Sequence, residues 1–199
     1  MDITVIFFLG LVIALIGVIP PGLLNMTAAK ISLKEGSNRG ILFSIGVCVI
    51  VCLQTYLAVI FAKYLSNHPE VIDILQRVAF VIFVLITIYY LALARKQPKP
   101  DVEANIRSKQ SRFFQGILLS ALNVFPIPYQ AYMAITLASF GWLTFEMYSI
   151  IAYVAGAATG TFVMLYVYIF FFEKIKNEKL TSQKTMNYII GTITDFYGM

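Results

Sequence analysis

The sequence is short of charge. Of its 199 residues, 13% are Asp, Glu, Lys or Arg, against about 25% in an ordinary soluble domain. It is also short of residues that hold metals or attack substrates, with one histidine, His68, and two cysteines, Cys48 and Cys52. A metalloprotease needs a cluster of His and acidic ligands. His68 falls in a short loop, and no Ser/His or paired-Asp arrangement stands within an apolar run, so the chain does not read as an enzyme. No cofactor motif is present. Cys48 and Cys52 lie on one helix face without a second cluster to complete a coordination shell, and they read as small packing residues. No carboxylate sits in the middle of an apolar run either. Asp73, Glu146 and Asp195 lie near predicted ends, and Asp73 with Arg77 reads as an interfacial i, i+4 pair.

What the chain does have is apolar length, with 59% hydrophobic residues. Five runs, at about Thr4–Ala28, Gly40–Leu65, Val71–Ala94, Phe113–Phe140 and Met147–Phe172, each approach or exceed the roughly 20 residues a spanning helix needs. They are too long, and too apolar on all sides, for barrel strands. Because lipid offers no partner to backbone groups, they are expected to be helices. A sixth run after Lys184 has only fifteen residues, about 22 Å of helix. The N-terminus has no basic region before its apolar run and reads as the first span rather than a cleaved leader. The predicted fold is therefore an all-α membrane protein, a polytopic bundle of five full transmembrane helices plus a short sixth.

The net charge of +5 does not point to nucleic acid, because its distribution is topological. Lys30, Lys34 and Arg39 follow the first run. Arg95, Lys96, Lys99, Arg107, Lys109 and Arg112 follow the third, and Lys174, Lys176, Lys179 and Lys184 follow the fifth. Only Lys63 and Arg77 fall on the other side. Positive-inside bias puts the odd-numbered loops in the cytoplasm of a plasma-membrane protein and the N-terminus outside. Trp142, Tyr64, Tyr89 and Tyr90 suit the interfacial aromatic belt.

The chain also repeats itself. Phe7-Phe8-Leu9-Gly10 matches Phe113-Phe114-Gln115-Gly116, and at the same offset of 106 Val18 falls on Val124 and Pro20 on Pro126. Both copies then carry helix breakers, Pro20-Pro21-Gly22 and Pro126-Ile127-Pro128. Three spans separate the two starts, so the copies cross the bilayer in opposite senses. That is the inverted-repeat arrangement of many secondary transporters. The expected organisation is a first three-helix repeat at 1–94, a basic linker at 95–111 with Pro98 and Pro100, and a second repeat at 112–199. Helices one and four are broken and meet around a hydrated central cavity.

A break inside the bilayer frees backbone groups that must face protein or such a cavity. Asn25 lies three residues past Gly22, Asn123 three before Pro126, and Gln130 two after Pro128. Freed amides suit a carboxylate, and freed carbonyls suit an ammonium or a cation. The candidate substrate-binding residues are thus Pro20, Pro21, Gly22, Asn25, Asn123, Pro126, Pro128 and Gln130, with no metal site. Gln54-Thr55-Tyr56 lines a pore or bonds between helices. Gly156 and Gly160 form a GxxxG face for close packing, either within the monomer or in a homo-oligomer.

At Pro20-Pro21-Gly22 with Asn25, the basic stretch ending in Arg39-Gly40, the Phe113–Asn123 run and the prolines after it, the chain resembles the lysine exporter/homoserine-threonine exporter (LysE/RhtB) family. The likeness covers most of the sequence. It implies a plasma-membrane exporter of amino acids or similar small polar metabolites, with about six spans. Pro-Pro-Gly replaces the family's Pro-Gly-Pro, and Asn123 is separated from Pro126 where the family has Asn-Pro. The competing readings are a heavy-metal or inorganic-cation exporter, hinted at only by Cys48 and Cys52, and a structural or assembly membrane protein.

Overall fold

The computed structural model describes residues 1–68 and 108–177 and, between them, 70, 71, 74, 77, 81 and 84. Most of the predicted third span, Asp73 of the Asp73–Arg77 pair, Tyr89, Tyr90, most of the basic linker and the short sixth run lie outside the described residues. Among the described residues the structure is helical, with no strand. The helices are α1 (Ile3–Val18), α2 (Leu23–Glu35), α3 (Ser37–Asn67), α4 (Lys109–Leu122), α5 (Pro126–Ser139) and α6 (Met147–Asn177).

Sequence chemistry sets their ends. Asp2 caps α1, its carboxylate accepting from the Thr4 N–H at 3.2 Å, and Ser108 caps α4 through the Ser111 N–H at 3.2 Å. Gly36 alone joins α2 to α3 with φ at 92°, a left-handed geometry that costs glycine nothing and a side chain much more.

α3 and α6 are long and apolar enough to cross a bilayer, and the pair α1–α2, bent by 80° at its break, adds a third candidate. The described residues thus contain two or three candidates for the five predicted spans. α4 and α5 have 14 residues each, roughly 21 Å of helix, and neither is long enough by itself. The predicted single run of 113–140 divides because Asn123, its amide on the Ser120 carbonyl at 3.1 Å, turns extended (φ −86°, ψ 91°).

Packing follows small residues. At Gly10 a Cβ would overlap the Tyr153 carbonyl, and at Gly156 and Gly160 it would overlap those of Phe7 and Leu11, so α1 and α6 touch backbone to backbone. α4 and α3 do the same. Gly116 lies against the Phe43 carbonyl and Gly46 against that of Phe113. The correspondence is positional. Phe7 and Gly10 match Phe113 and Gly116 at the offset of 106, while Phe43 and Gly46 match Tyr153 and Gly156 at an offset of 110. The GxxxG face offered for a homo-oligomer is thus occupied within the chain by α1.

Within each of these pairs the helices run parallel, with Gly10 beside Tyr153 and Ile19 bonded to Tyr168 further along. Likewise Gly116 lies beside Phe43, and Asn123 is bonded to Gln54. Between the pairs the sense reverses. Gly40 lies beside Ile169, and the Cys48 thiol donates to the Ala158 carbonyl at 3.6 Å. Arg39, Lys109, Arg112 and Lys174 therefore share one end of the bundle, and Asp2, Lys63 and Glu146 lie towards the other. Buried Ala28, Ile31, Phe43, Val47, Leu165 and Ile169 fill the basic half. Ile6, Ile13, Val59, Ala134 and Tyr153 fill the opposite half.

Candidate functional site

At the first interruption three consecutive carbonyls, of Val18, Ile19 and Pro20, accept from side chains in place of helical partners. Asn25, in the first turn of α2, reaches back so that its Nδ2 donates to Val18 at 2.7 Å and Pro20 at 3.0 Å. The Tyr168 hydroxyl on α6 donates to Ile19 at 2.7 Å. Asn25 is buried and Pro20 and Gly22 are exposed. Each of these carbonyls, offered in sequence as a partner for an ammonium or cation, already accepts one side-chain hydrogen bond. The free chemistry of this break lies on its donor side. Gly22 gives α2 no side-chain cap, so the first-turn N–H groups of Leu23, Leu24 and Asn25 have no intrahelical acceptor. They carry the positive end of the helix dipole.

The second interruption lies earlier than the prolines suggest. Asn123-Val124-Phe125 break the helix, whereas Pro126 and Pro128 fall in the opening turn of α5, where a missing N–H costs nothing. Ile127 donates to Val124 at 3.1 Å and Tyr129 to Phe125 at 3.4 Å. With two prolines and two engaged amides, the opening turn of α5 offers fewer donors than that of α2. Its carbonyls are held by Gln54 on α3, whose Nε2 donates to Ser120 at 3.0 Å and Asn123 at 2.9 Å. Gln130 is buried, its Oε1 accepting from the Tyr153 hydroxyl at 2.7 Å.

Gln54 was legible in sequence as a polar residue in an apolar helix, and of its two readings the interhelical bond is the one observed. Its own Oε1 and the Thr55 Oγ1 are buried and without partners. Among the described residues they are the buried side-chain oxygens near mid-bundle without a partner. Tyr129, Tyr153 and Tyr168 gave no sequence signal, because a tyrosine in a membrane helix reads as belt or packing until its hydroxyl's partner is known.

The two breaks do not meet. The first is level with the Tyr168–Ile169 turn of α6, beside Gly40, and the second with the Gln54 turn of α3. They are on the order of 15–20 Å apart along the bundle. The predicted site residues thus form two groups, Pro20, Pro21, Gly22 and Asn25 towards the basic end and Asn123, Pro126, Pro128 and Gln130 towards the opposite end. Tyr129 links the halves. Its ring lies where a Cβ on Gly17 would come within 2.6 Å of it, and its hydroxyl donates to the Ile13 carbonyl at 2.9 Å.

Among the described residues, no group of three or more His, Cys, Asp or Glu could hold a metal ion. A sequence model of the LysE type translocator family matches residues 15–198, both interruptions and the second half included. No curated protein and no solved structure matches the chain.

Proposed function

The chain belongs to the LysE type translocator family, a family of membrane transporters, and on that premise we propose that it exports amino acids or related small polar metabolites by alternating access. One observation carries this reading. Each interrupted helix lies glycine to carbonyl along one long helix, and the two pairs run in opposite senses. Such a relation supports an inverted repeat, the architecture that lets one half rock against the other around a fixed path.

In this reading the basic end is cytoplasmic, the N-terminus is outside, and the membrane is the plasma membrane. A small amino acid cannot span both breaks, so each serves as the hinge of one short helix, α2 inside and α5 outside. The substrate carboxylate is received at the Gly22–Asn25 turn, where donors are free. Once it has moved on from that turn, its ammonium is received at a separate, deeper station formed by the Gln54 and Thr55 oxygens and the half-buried Asn123. Pro20, Pro21, Pro126 and Pro128 shape the hinges, and Gln130 braces α5 through Tyr153.

The test is a metabolite-efflux profile of cells with and without the protein, repeated with Asn123→Ala. Selective export of amino acids, reduced in the variant, is expected. The absence of any differentially exported solute, with membrane insertion verified, would overturn the reading.

A further inference from the structure

At the basic end, Glu35 on the last turn of α2 and Arg112 on the first turn of α4 form a two-pronged ion pair. Arg112 Nε donates to Glu35 Oε2 at 2.9 Å and its Nη2 to Oε1, while Nη1 donates to Gln115 Oε1. The side chains are 3% and 10% exposed. Neither charge suits its own helix. An acid at a C-terminus and a base at an N-terminus both oppose the helix dipole, so the pairing is made at the expense of local helix stability. It also joins the two halves of the chain, tying the short helix beyond the first hinge to the segment ahead of the second.

The surroundings carry a spare cation. Arg39 Nη1 donates to the Glu35 carbonyl at 3.1 Å, while its Nε is buried and has no acceptor. Among the described residues the other acid nearby, Glu173, is engaged by the hydroxyls of Ser32 and Ser37, and Lys174 is exposed. A second guanidinium, that of Arg39, thus stands on the Glu35 backbone with one buried donor unused.

We propose that Glu35–Arg112 is the cytoplasmic gate, and that it opens by exchanging partners with a substrate that carries both an ammonium and a carboxylate. This rests on the export reading above. Pulling the buried pair apart strands the Arg112 charge and takes a bidentate partner from Glu35, which is strongly unfavourable. A zwitterion removes that penalty, because its carboxylate takes Arg112, with Arg39 Nε as the first contact, and its ammonium takes Glu35. Every buried charge stays paired while α2 swings on the Pro20-Pro21-Gly22 hinge. A solute with only one of the two charges leaves one side unpaired and keeps the gate shut.

The native thiols report the gate without any transport, since Cys48 and Cys52 lie deeper along α3 than the pair. In inside-out vesicles, Glu35→Gln is expected to raise their labelling by a membrane-impermeant maleimide on the order of tenfold. Unchanged labelling overturns the gate whether or not amino acids are exported. With the wild-type protein, a mixture of the proteinogenic amino acids should raise labelling and the corresponding amino-acid amides should not. Equal effects would overturn the exchange.

A second arm leaves the pair intact. Lys34→Cys and Lys109→Cys in a Cys48→Ser/Cys52→Ser background are bridged by a cleavable bis-methanethiosulfonate linker, with bridging verified by mass spectrometry. Bridging is expected to cut amino-acid efflux about tenfold, reversibly on reduction. Efflux within about twofold of the unbridged protein would identify a static strut and overturn the proposal. Should the unbridged protein move no amino acid, the export reading fails by itself, and the labelling alone decides the gate.

Discussion

The residues that matter most at single-side-chain scale are those that replace lost helix hydrogen bonds. Gln54 holds two carbonyls of the second interruption, which lipid tails could not satisfy. Gln54→Leu strands both and also removes the orphaned Oε1, which offsets part of the loss. Interhelical hydrogen bonds in membranes are each worth about 0.6 kcal/mol on average and up to about 1.7. The variant is therefore expected to lose about 1–3 kcal/mol, read as earlier unfolding in a denaturing-detergent titration. Stability unchanged from wild type would mean that Ser120 and Asn123 find other donors. Gly22 gives the opposite case. A Cβ there meets only the Pro20 carbonyl, at 3.9 Å, and the backbone is extended, with φ at −123°. Gly22→Ala is expected to cost below about 1 kcal/mol, the loss of a glycine N-cap. Any larger effect on efflux would then report on substrate rather than folding.

At the scale of elements, the bundle is fixed by where backbones touch. Lipid tails are as apolar as leucine, so helices associate by close packing rather than by burying oil. Gly116 against Phe43 and Gly10 against Tyr153 are such contacts. Gly116→Ala drives a methyl into a carbonyl that belongs to a 31-residue helix and cannot yield locally. Overpacking of this kind costs about 1–3 kcal/mol, and a backbone clash belongs at the upper end. Gly10→Ala is expected to behave alike, because its surroundings correspond residue for residue. Comparing the two in the same titration tests that correspondence. A large loss in one and none in the other would argue against equivalent halves.

For the whole molecule, the decisive quantity is sidedness. Arg39, Lys109, Arg112 and Lys174 gather at one end of the described bundle, and the interhelical contacts reach the same grouping independently of the positive-inside rule. Lys34 is exposed near that end, and Lys63, donating to the Phe145 carbonyl at 3.4 Å, lies towards the other. In a cysteine-free background, an impermeant thiol reagent on intact cells is expected to label Lys63→Cys and spare Lys34→Cys. Labelling of Lys34→Cys alone would invert the orientation and place the Glu35–Arg112 pair on the outer face.

The family and the first interruption were legible in sequence because they depend on local facts. Apolar length demands helices, and Pro20-Pro21-Gly22 cannot continue one. The second interruption was found but misplaced by three residues, because a proline marks a break equally well whether it ends one helix or begins the next. The division of labour among Asn25, Gln54 and Tyr168 was not legible. An amide or hydroxyl shows its chemistry in sequence but not which carbonyl it meets. The same holds for the stagger of the two breaks and for Arg112, which counts as a topology signal until Glu35, 77 positions away, is brought against it. The sequence by itself determined that this chain is a helical membrane protein of a translocator family, since hydropathy and helix breakers act over a few turns. Only the tertiary structure decided which freed groups are already bonded, which remain open and which charges pair at the basic end. Those are properties of distances between segments far apart along the chain.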